Sequence, residues 1–559
     1  MTATAAIHFH PEAYTISGPK LMGRNAAGES FLRGFVRYSG ADQFWVQVAN
    51  PEHAKVFAEI ASSAGARKPI KAVERHALGA LAEPGTLYLP GPGLGEHAWQ
   101  RSLATANPGV PGWSLCGITH TTASARAMDS IVEMLTAPVQ PWDALICTSH
   151  AVKDNVERLL SAQGDYLRQR LGAQRLVIPK LPVIPLGIHT ADFQFPDAGR
   201  ATARQRVGAD AQTLVVLYTG RLSFHAKAHP VAMYQALELA ARQLKPGQKV
   251  VLVECGWHAN EFIEKAFAEA AQLACPSVRT VFLDGRKVEN RNTAWACADV
   301  FCSLSDNIQE TFGIVPIEAM AAGLPVVVSD WDGYKDTVRH GIDGYRVPTL
   351  MPAAGLGADL AYRHALEIDN YDVYCGNACS VVAVEVEKAA KFFSLLFASP
   401  ALRQQMGEAG RRRANEIFDW ARIIPQYEAL WQELGEIRLS ASPASLPAAL
   451  AWPARMDPFA AFAAYPTHLL DLETRLGLSS HNIDELGARI ESLGKLAMVS
   501  YAGLTRISPD EVATVLRAAS RGVQPAKELL HDITAARRLH VLRGLALLVK
   551  LGIFVIADL

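Results

Sequence analysis

The sequence predicts an α/β protein of two doubly wound lobes in series, facing a cleft, with a smaller helical module behind them. Three observations carry that expectation. Short β-branched apolar runs alternate with helical stretches over the first 415 or so residues, a turn-rich joint interrupts them at 195–199, and a Pro-rich segment of small residues opens at Ser440. Strands that are apolar throughout, each followed by a helix, belong to parallel sheets covered on both faces.

In the first lobe, apolar or aromatic runs occur at 14–17, 44–49, 85–89, 114–118 and 144–148, and 183–187 reads as a last strand and exit turn. The joint Phe195, Pro196, Asp197, Ala198, Gly199 follows. The second lobe shows strands at 213–218, 249–254, 279–283, 299–304 and 325–329, with helical patterns such as 232–244 and 261–273 between them. Beyond the linker, apolar residues at three- and four-residue spacing mark helices over 457–476, 483–496, 509–519 and 526–548. The expected divisions are 1–195, 196–415, a cross-over helix at 416–438, a linker at 439–457 and a small module at 458–559.

Composition narrows the function classes. With 54 basic and 55 acidic residues in 559, the net charge is −1, which argues against a surface built for nucleic-acid phosphates. Half of the residues are hydrophobic and 19% are charged, which excludes disorder along the whole chain. The eight cysteines are scattered, most of them in apolar runs, as reduced thiols are in a cytoplasmic protein. Cys375 and Cys379 stand close but lack a second pair for a zinc site. Residues 1–10 have neither a basic nor an apolar region of signal-peptide type. The apolar stretch 544–559 is interrupted by Lys550 and is shorter than the roughly 20 residues a span needs. The expected location is therefore cytoplasmic, with room left for peripheral membrane contact.

The segment 305–349 carries the most chemistry. Glu310 and Glu318 are eight positions apart, with Phe312, Gly313 and Ile314 between them, and a helix over 312–322 ends at Gly323 before Pro325 opens the next strand. Amides at that helix start, near Gly313 and Ile314, suit a diphosphate, and the two carboxylates suit sugar and ribose hydroxyls. Directly after the 213–218 strand come Gly220, Arg221 and Lys227. A forked guanidinium and a point-charge ammonium are the groups that hold phosphate oxygens. In the first lobe, the apolar run 114–118 leads to His120, and Gly23 to Glu29 forms a glycine-bearing turn that includes Gly28.

This set resembles the Glu-x7-Glu motif of GT4-type retaining glycosyltransferases (glycosyl transferases group 1), whose GT-B fold has two Rossmann-like lobes. The likeness rests on Glu310 to Glu318 running into Ala319, Met320, Ala321, Ala322, Gly323, Leu324 and Pro325, and it spans roughly 10–437. It implies that Arg221 and Lys227 clamp the donor diphosphate, Glu310 positions the sugar, Glu318 holds the ribose and His120 lines the sugar pocket. Phe312, Gly313, Ile314 and Gly28 then belong to the donor-binding set, and Gly28 to a first-lobe loop that closes over phosphate and acceptor. Ala228 stands where many relatives carry glycine, and 362–387 is longer than the usual connection at that place. Residues 440–559 fall outside the likeness; they resemble a winged-helix-like module.

The implied activity is transfer of a sugar from a nucleotide-sugar donor to a hydroxyl of a glycan, lipid-linked or small-molecule acceptor, with retention, in glycan or envelope polysaccharide synthesis. The nucleotide sugar is a substrate; no cofactor, metal or nucleic acid is expected. Asp330 and Asp332 have the spacing of a metal-binding pair in another transferase fold, and His8 and His10 could chelate, but neither stands in a position with a metal role in the family. Two other readings stay open: a nucleotide-sugar epimerase of the same two-lobe fold, and a non-catalytic scaffold acting through its C-terminal helices.

Overall fold

The computed structural model describes residues 4–15, 23–105, 112–441, 452–501 and 503–557. The chain forms two compact units, Met1–Trp452 and Pro453–Leu559.

The first unit contains both lobes. Its first sheet has β1 (Ala6–Phe9), β2 (Phe44–Val48), β3 (Ile70–Glu74), β4 (Thr86–Tyr88), β5 (Ser114–Ile118) and β6 (Ala144–Ile146), in the order β3-β2-β1-β4-β5-β6. The second has β7 (Thr213–Leu222), β8 (Lys249–His258), β9 (Arg279–Asp284), β10 (Val300–Ser303), β11 (Val326–Ser329) and β12 (Gly344–Val347), in the order β12-β11-β10-β7-β8-β9. Every pairing in both sheets is parallel. Counted within each lobe, the order is the same doubly wound 3-2-1-4-5-6. The strand order therefore reverses at β1/β4 and at β7/β10, and ligands bind beyond the carboxyl ends of strands at such points. The central strands are buried on both faces, β2, β5, β10 and β11 at every residue.

Three details differ from the sequence reading. The first strand is Ala6–Phe9, and Tyr14 ends a short helix, Pro11–Tyr14; His8 and His10 break the apolar run that would have marked the strand. The edge strands β3 and β12 carry polar residues that hid them, Lys71 and Glu74 in one and Arg346 in the other. Residues 180–184 run beside β6 by isolated pairs, Ala144 with Lys180 and Cys147 with Val183, rather than as a full strand.

The chain returns to the first lobe through a π-turn, Ala414–Phe418, and the helix Trp420–Ser440, capped by Asp419. Trp420 fixes that return. Its indole N–H donates to Ser30 Oγ at 2.8 Å, and its ring lies so close to Gly34 and Gly187 that a Cβ on either would come within 2.6 and 2.5 Å of it. Between β12 and the helix Val386–Ala398, the strands β13 (Thr349–Leu350) and β14 (Ala383–Val384) pair antiparallel and close a stem that holds the helices Ala358–Ala365 and Tyr371–Cys379.

The second unit has its own core of Leu476, Leu486, Val515, Leu516, Leu529, Leu545 and Phe554. Helices Ile483–Gly494, Pro509–Ala519 and Arg538–Lys550 pack with an antiparallel sheet of β15 (Arg475–Leu478), β16 (Gln524–Pro525) and β17 (Phe554–Ile556), in the order β16-β15-β17. The helix expected over 457–476 is only Pro458–Ala461, followed by turns and β15. Pro466 denies a helix there its backbone donor, and Asp471 instead accepts from the amides of Glu473 and Thr474 in a tight turn. The pattern over 526–548 divides into Ala526–Leu529 and Arg538–Lys550.

Candidate active site

The predicted site residues of the second lobe gather where its strand order reverses. β7 runs further than expected and carries Arg221 as its penultimate residue; the half-buried guanidinium donates to the Ala226 carbonyl at 2.6 Å. One residue on, Lys227 Nζ donates to Glu310 Oε2 at 2.5 Å, with the two side chains 22% and 10% exposed. Burial would raise the Glu310 carboxyl, but the Lys227 ammonium and the backbone N–H groups of Thr311 and Phe312 outweigh it and hold the group below its ordinary value. Glu310 is thus an anion held by the Lys227 ammonium beyond the carboxyl ends of β7 and β10.

Past Glu310 the chain turns into the helix Ile314–Ala321, two residues later than the sequence suggested, with Gly313 as its cap. Gly313 has φ +83°, and a Cβ there would fall 1.9 Å from the Tyr334 ring, so only glycine lets the chain enter the helix over that ring. Tyr334 is itself pinned, its hydroxyl 2.8 Å from Ser303 Oγ at the end of β10. Phe312 points into the core, 1% exposed and edge-on to Phe418 at 6.2 Å. Its contribution to the site is its backbone N–H, not its ring.

Glu318 lies in that helix, half-buried, and faces Arg291 and Lys227. Burial pushes its carboxyl up to about 7, against the pull of those two cations. Arg291 was not anticipated. It lies on the helix Val288–Cys297, beyond the carboxyl end of β9, and donates to the Gly285 carbonyl. The signal that would have found it is position: a basic residue in the helix that starts just past a parallel strand.

The first lobe meets this loop from the other side. Thr311 Oγ1 donates to the His120 carbonyl at 3.3 Å, and Thr148 Oγ1 donates to the Thr311 carbonyl at 3.2 Å. Ser149 Oγ donates to Asp332 Oδ1 at 3.2 Å, and the His150 amide to Asp336 Oδ2 at 2.8 Å. His120 is therefore brought to the Glu310 loop by its backbone, with its half-buried side chain at the carboxyl edge of β5.

Gly28 does not join them. It lies inside the helix Gly23–Tyr38, where a Cβ would come 2.1 Å from the Ala13 carbonyl oxygen, so it is a close-packing position between two helices rather than a loop glycine. Residues 16–22, the preceding connection, lie outside the described residues.

The two candidate metal pairs have other partners. Asp332 stands at φ +43° and accepts from Ser149; burial, with Glu310 nearby, pushes its carboxyl up to about 7, and its Oδ2 is buried without a hydrogen bond. Asp330 turns to Arg346, 3.4 Å away. His8 bonds to Gln47 and meets His97 edge-on, while His10 meets His53. Among the described residues, no three His, Cys, Asp or Glu side chains are grouped to hold a metal ion. No helix among them is long and apolar enough to cross a membrane.

Two parallel sheets of doubly wound order define an open α/β class whose ligands bind at the switch points. Residues 199–354, within the second lobe, match the family described as glycosyl transferases group 1. A D-inositol 3-phosphate glycosyltransferase of Nocardia farcinica is 30% identical over 218 residues, which are 38% of this chain and 46% of that protein. A protein of the same name from Geodermatophilus obscurus is 26% identical over 317 residues, 56% of this chain and 60% of that one. The chain thus spans about half the length of the curated relatives it matches. Among solved structures, Anabaena Alr3699/HepE in complex with UDP aligns with a TM-score of 0.49 at 14% identity, over 78% of this chain and all of that one.

Proposed function

We propose that the chain is a glycosyltransferase that moves a sugar from a nucleotide-sugar donor to an acceptor hydroxyl with retention of anomeric configuration. The observation that carries this reading is the Lys227–Glu310 pair at the β7/β10 switch point, with Arg221 one loop carbonyl away and the start of a helix beside it. Arg221 and Lys227 meet the charge that grows on the departing diphosphate, which is where fixed cations lower a barrier. Glu310 accepts from hydroxyls of the sugar, Glu318 from those of the ribose, and His120 borders the sugar from the first lobe. The acceptor hydroxyl attacks from the face the diphosphate leaves, and a phosphate oxygen takes its proton; no protein carboxylate serves as nucleophile. The donor is consumed as substrate, and the reaction asks for no further cofactor. The acceptor is read as a glycan, a lipid-linked or a small molecule of glycan or envelope polysaccharide synthesis.

The test is a screen of UDP-, GDP- and ADP-sugars, read by nucleoside diphosphate release with and without acceptor. Lys227→Ala should lower the release rate on the order of 100-fold or more, the usual cost of removing one charge-stabilising donor. Glu310 loses its recorded partner in that variant, so stability should fall as well, by about 1–3 kcal/mol in urea unfolding, too little to unfold the chain. An unaltered rate would remove Lys227 from the diphosphate. Release of epimerised free sugar without acceptor would favour the epimerase reading. No release from any donor, together with partner binding by residues 440–559 alone, would favour the scaffold reading.

A further inference from the structure

The stem formed by β13 and β14 holds the stretch that is long for its place in the sequence, and its second helix, Tyr371–Cys379, lies on the diphosphate loop. Cys379 Sγ donates to the Phe224 carbonyl at 3.7 Å, and a Cβ at Gly376 would stand 3.1 Å from His225 Cβ, so glycine allows that approach. At the start of this helix, the Tyr371 hydroxyl donates to Gln309 Oε1 at 3.3 Å. The amide nitrogen of Gln309 donates in turn to the Ala226 carbonyl, the same oxygen that receives Arg221 at 2.6 Å. Burial raises the Tyr371 phenol, so the hydroxyl keeps the proton it gives to Gln309.

A phenol has one proton to give, and a primary amide can turn end for end. The bond from Tyr371 selects one of the two orientations of Gln309, the one with its NH2 on Ala226. Without it the amide is held at its NH2 end alone, its bond to the Ala226 oxygen weakens, and the backbone between Arg221 and Lys227 loosens. We propose that Tyr371 is a positioning residue for the donor diphosphate, acting through Gln309 and Ala226 on Arg221. The proposal rests on the donor reading above and adds to it an element outside the Glu310 and Lys227 loops.

The experiment is calorimetric titration of the full chain with UDP, GDP and ADP, on the wild type, Tyr371→Phe, Gln309→Met and the double variant. Loss of one hydrogen bond should weaken diphosphate binding about 5- to 10-fold in each single variant. The double variant should bind no more weakly than Gln309→Met, because the two act in one chain. In steady state the donor KM should rise and the acceptor KM should not, a division that a general loss of structure would not produce. Wild-type affinity in Tyr371→Phe, or effects that multiply in the double variant, would overturn the proposal while leaving the donor reading in place. If the wild type bound none of the three diphosphates, the donor reading itself would fall, and this proposal with it.

Discussion

Glu254, Asp306, Glu318 and Asp332 each have a carboxyl raised to about 7, chiefly by burial, and Glu310 alone among these neighbours is held low, by Lys227. Environments that drive titratable groups apart separate a permanent anion from carboxyls that are about half neutral at pH 7 and fully so only well below it. Fewer anions in the crevice would suit the proposed diphosphate, since each would repel it. The rise has a consequence for stability that Glu254 isolates, because it is 6% exposed and its recorded contact is the Tyr234 hydroxyl at 2.6 Å, away from the diphosphate loop. A carboxyl raised from 4.5 to about 7 makes the folded chain bind more protons than the unfolded one between those values. Its contribution is full below pH 4.5 and is lost as pH rises through about 7, on the order of 3 kcal/mol in all. Glu254→Gln keeps an oxygen for Tyr234, so the fall in thermal midpoint between pH 5 and 8 should be shallower in that variant. Parallel curves for the two proteins would contradict the assignment. Glu310, Lys227, Arg221 and Glu318 were singled out in the chain by a motif resemblance, and the fold pairs Lys227 with Glu310 beyond β7 and β10. The contacts of Gln309 with Ala226 and Tyr371 could not be read there, since they join segments far apart in sequence.

At the scale of elements, the alternation of apolar strands and helices was legible wherever both faces of a strand are buried, as in β2, β5, β10 and β11. It failed at polar edges and at β1, where His8 sits inside the strand. Glycines were harder to read. Gly28 and Gly313 look equally permissive in sequence, yet one packs helix against helix and the other turns the chain at φ +83°. Gly313→Ala combines a left-handed backbone position with a Cβ 1.9 Å from the Tyr334 ring. The ring has to leave Ser303, and the helix Ile314–Ala321 shifts with it. A stability loss of about 2–4 kcal/mol should follow, measured as a lower urea midpoint with unchanged slope. Diphosphate binding should weaken as well, because this turn joins Glu310 to the helix Ile314–Ala321. A variant with the parent's midpoint would show that the turn does not need glycine.

On the scale of the whole molecule, the near-zero net charge says little about one crevice that gathers Arg221, Lys227 and Arg291, and length says more. The second unit has a buried core of its own, including Leu476, Val515, Leu545 and Phe554, so its folding does not draw on the sheets of the first. The helix Trp420–Ser440 is the opposite case. Although it follows the second lobe in sequence, it is anchored on the first: Trp420 against Gly34 and Gly187, and Arg438 donating to the Gly85 carbonyl and, at 2.8 Å, to Ser114 Oγ. Two truncations separate these roles. A chain ending at Trp452 should unfold cooperatively near the midpoint of the corresponding transition in the full chain and bind nucleoside diphosphates with unchanged affinity. A chain ending at residue 415 loses Trp420, Tyr427, Trp431 and Leu434, all buried. At about 2–5 kcal/mol for each large apolar side chain withdrawn from a core, the four together are comparable to the roughly 5–15 kcal/mol that holds a typical domain folded. It should therefore be recovered only as unfolded or aggregated protein. If the longer truncation product lost its folding transition, the independence of the two units would be wrong; if the shorter one folded and bound diphosphate, the first lobe would not need the returning helix.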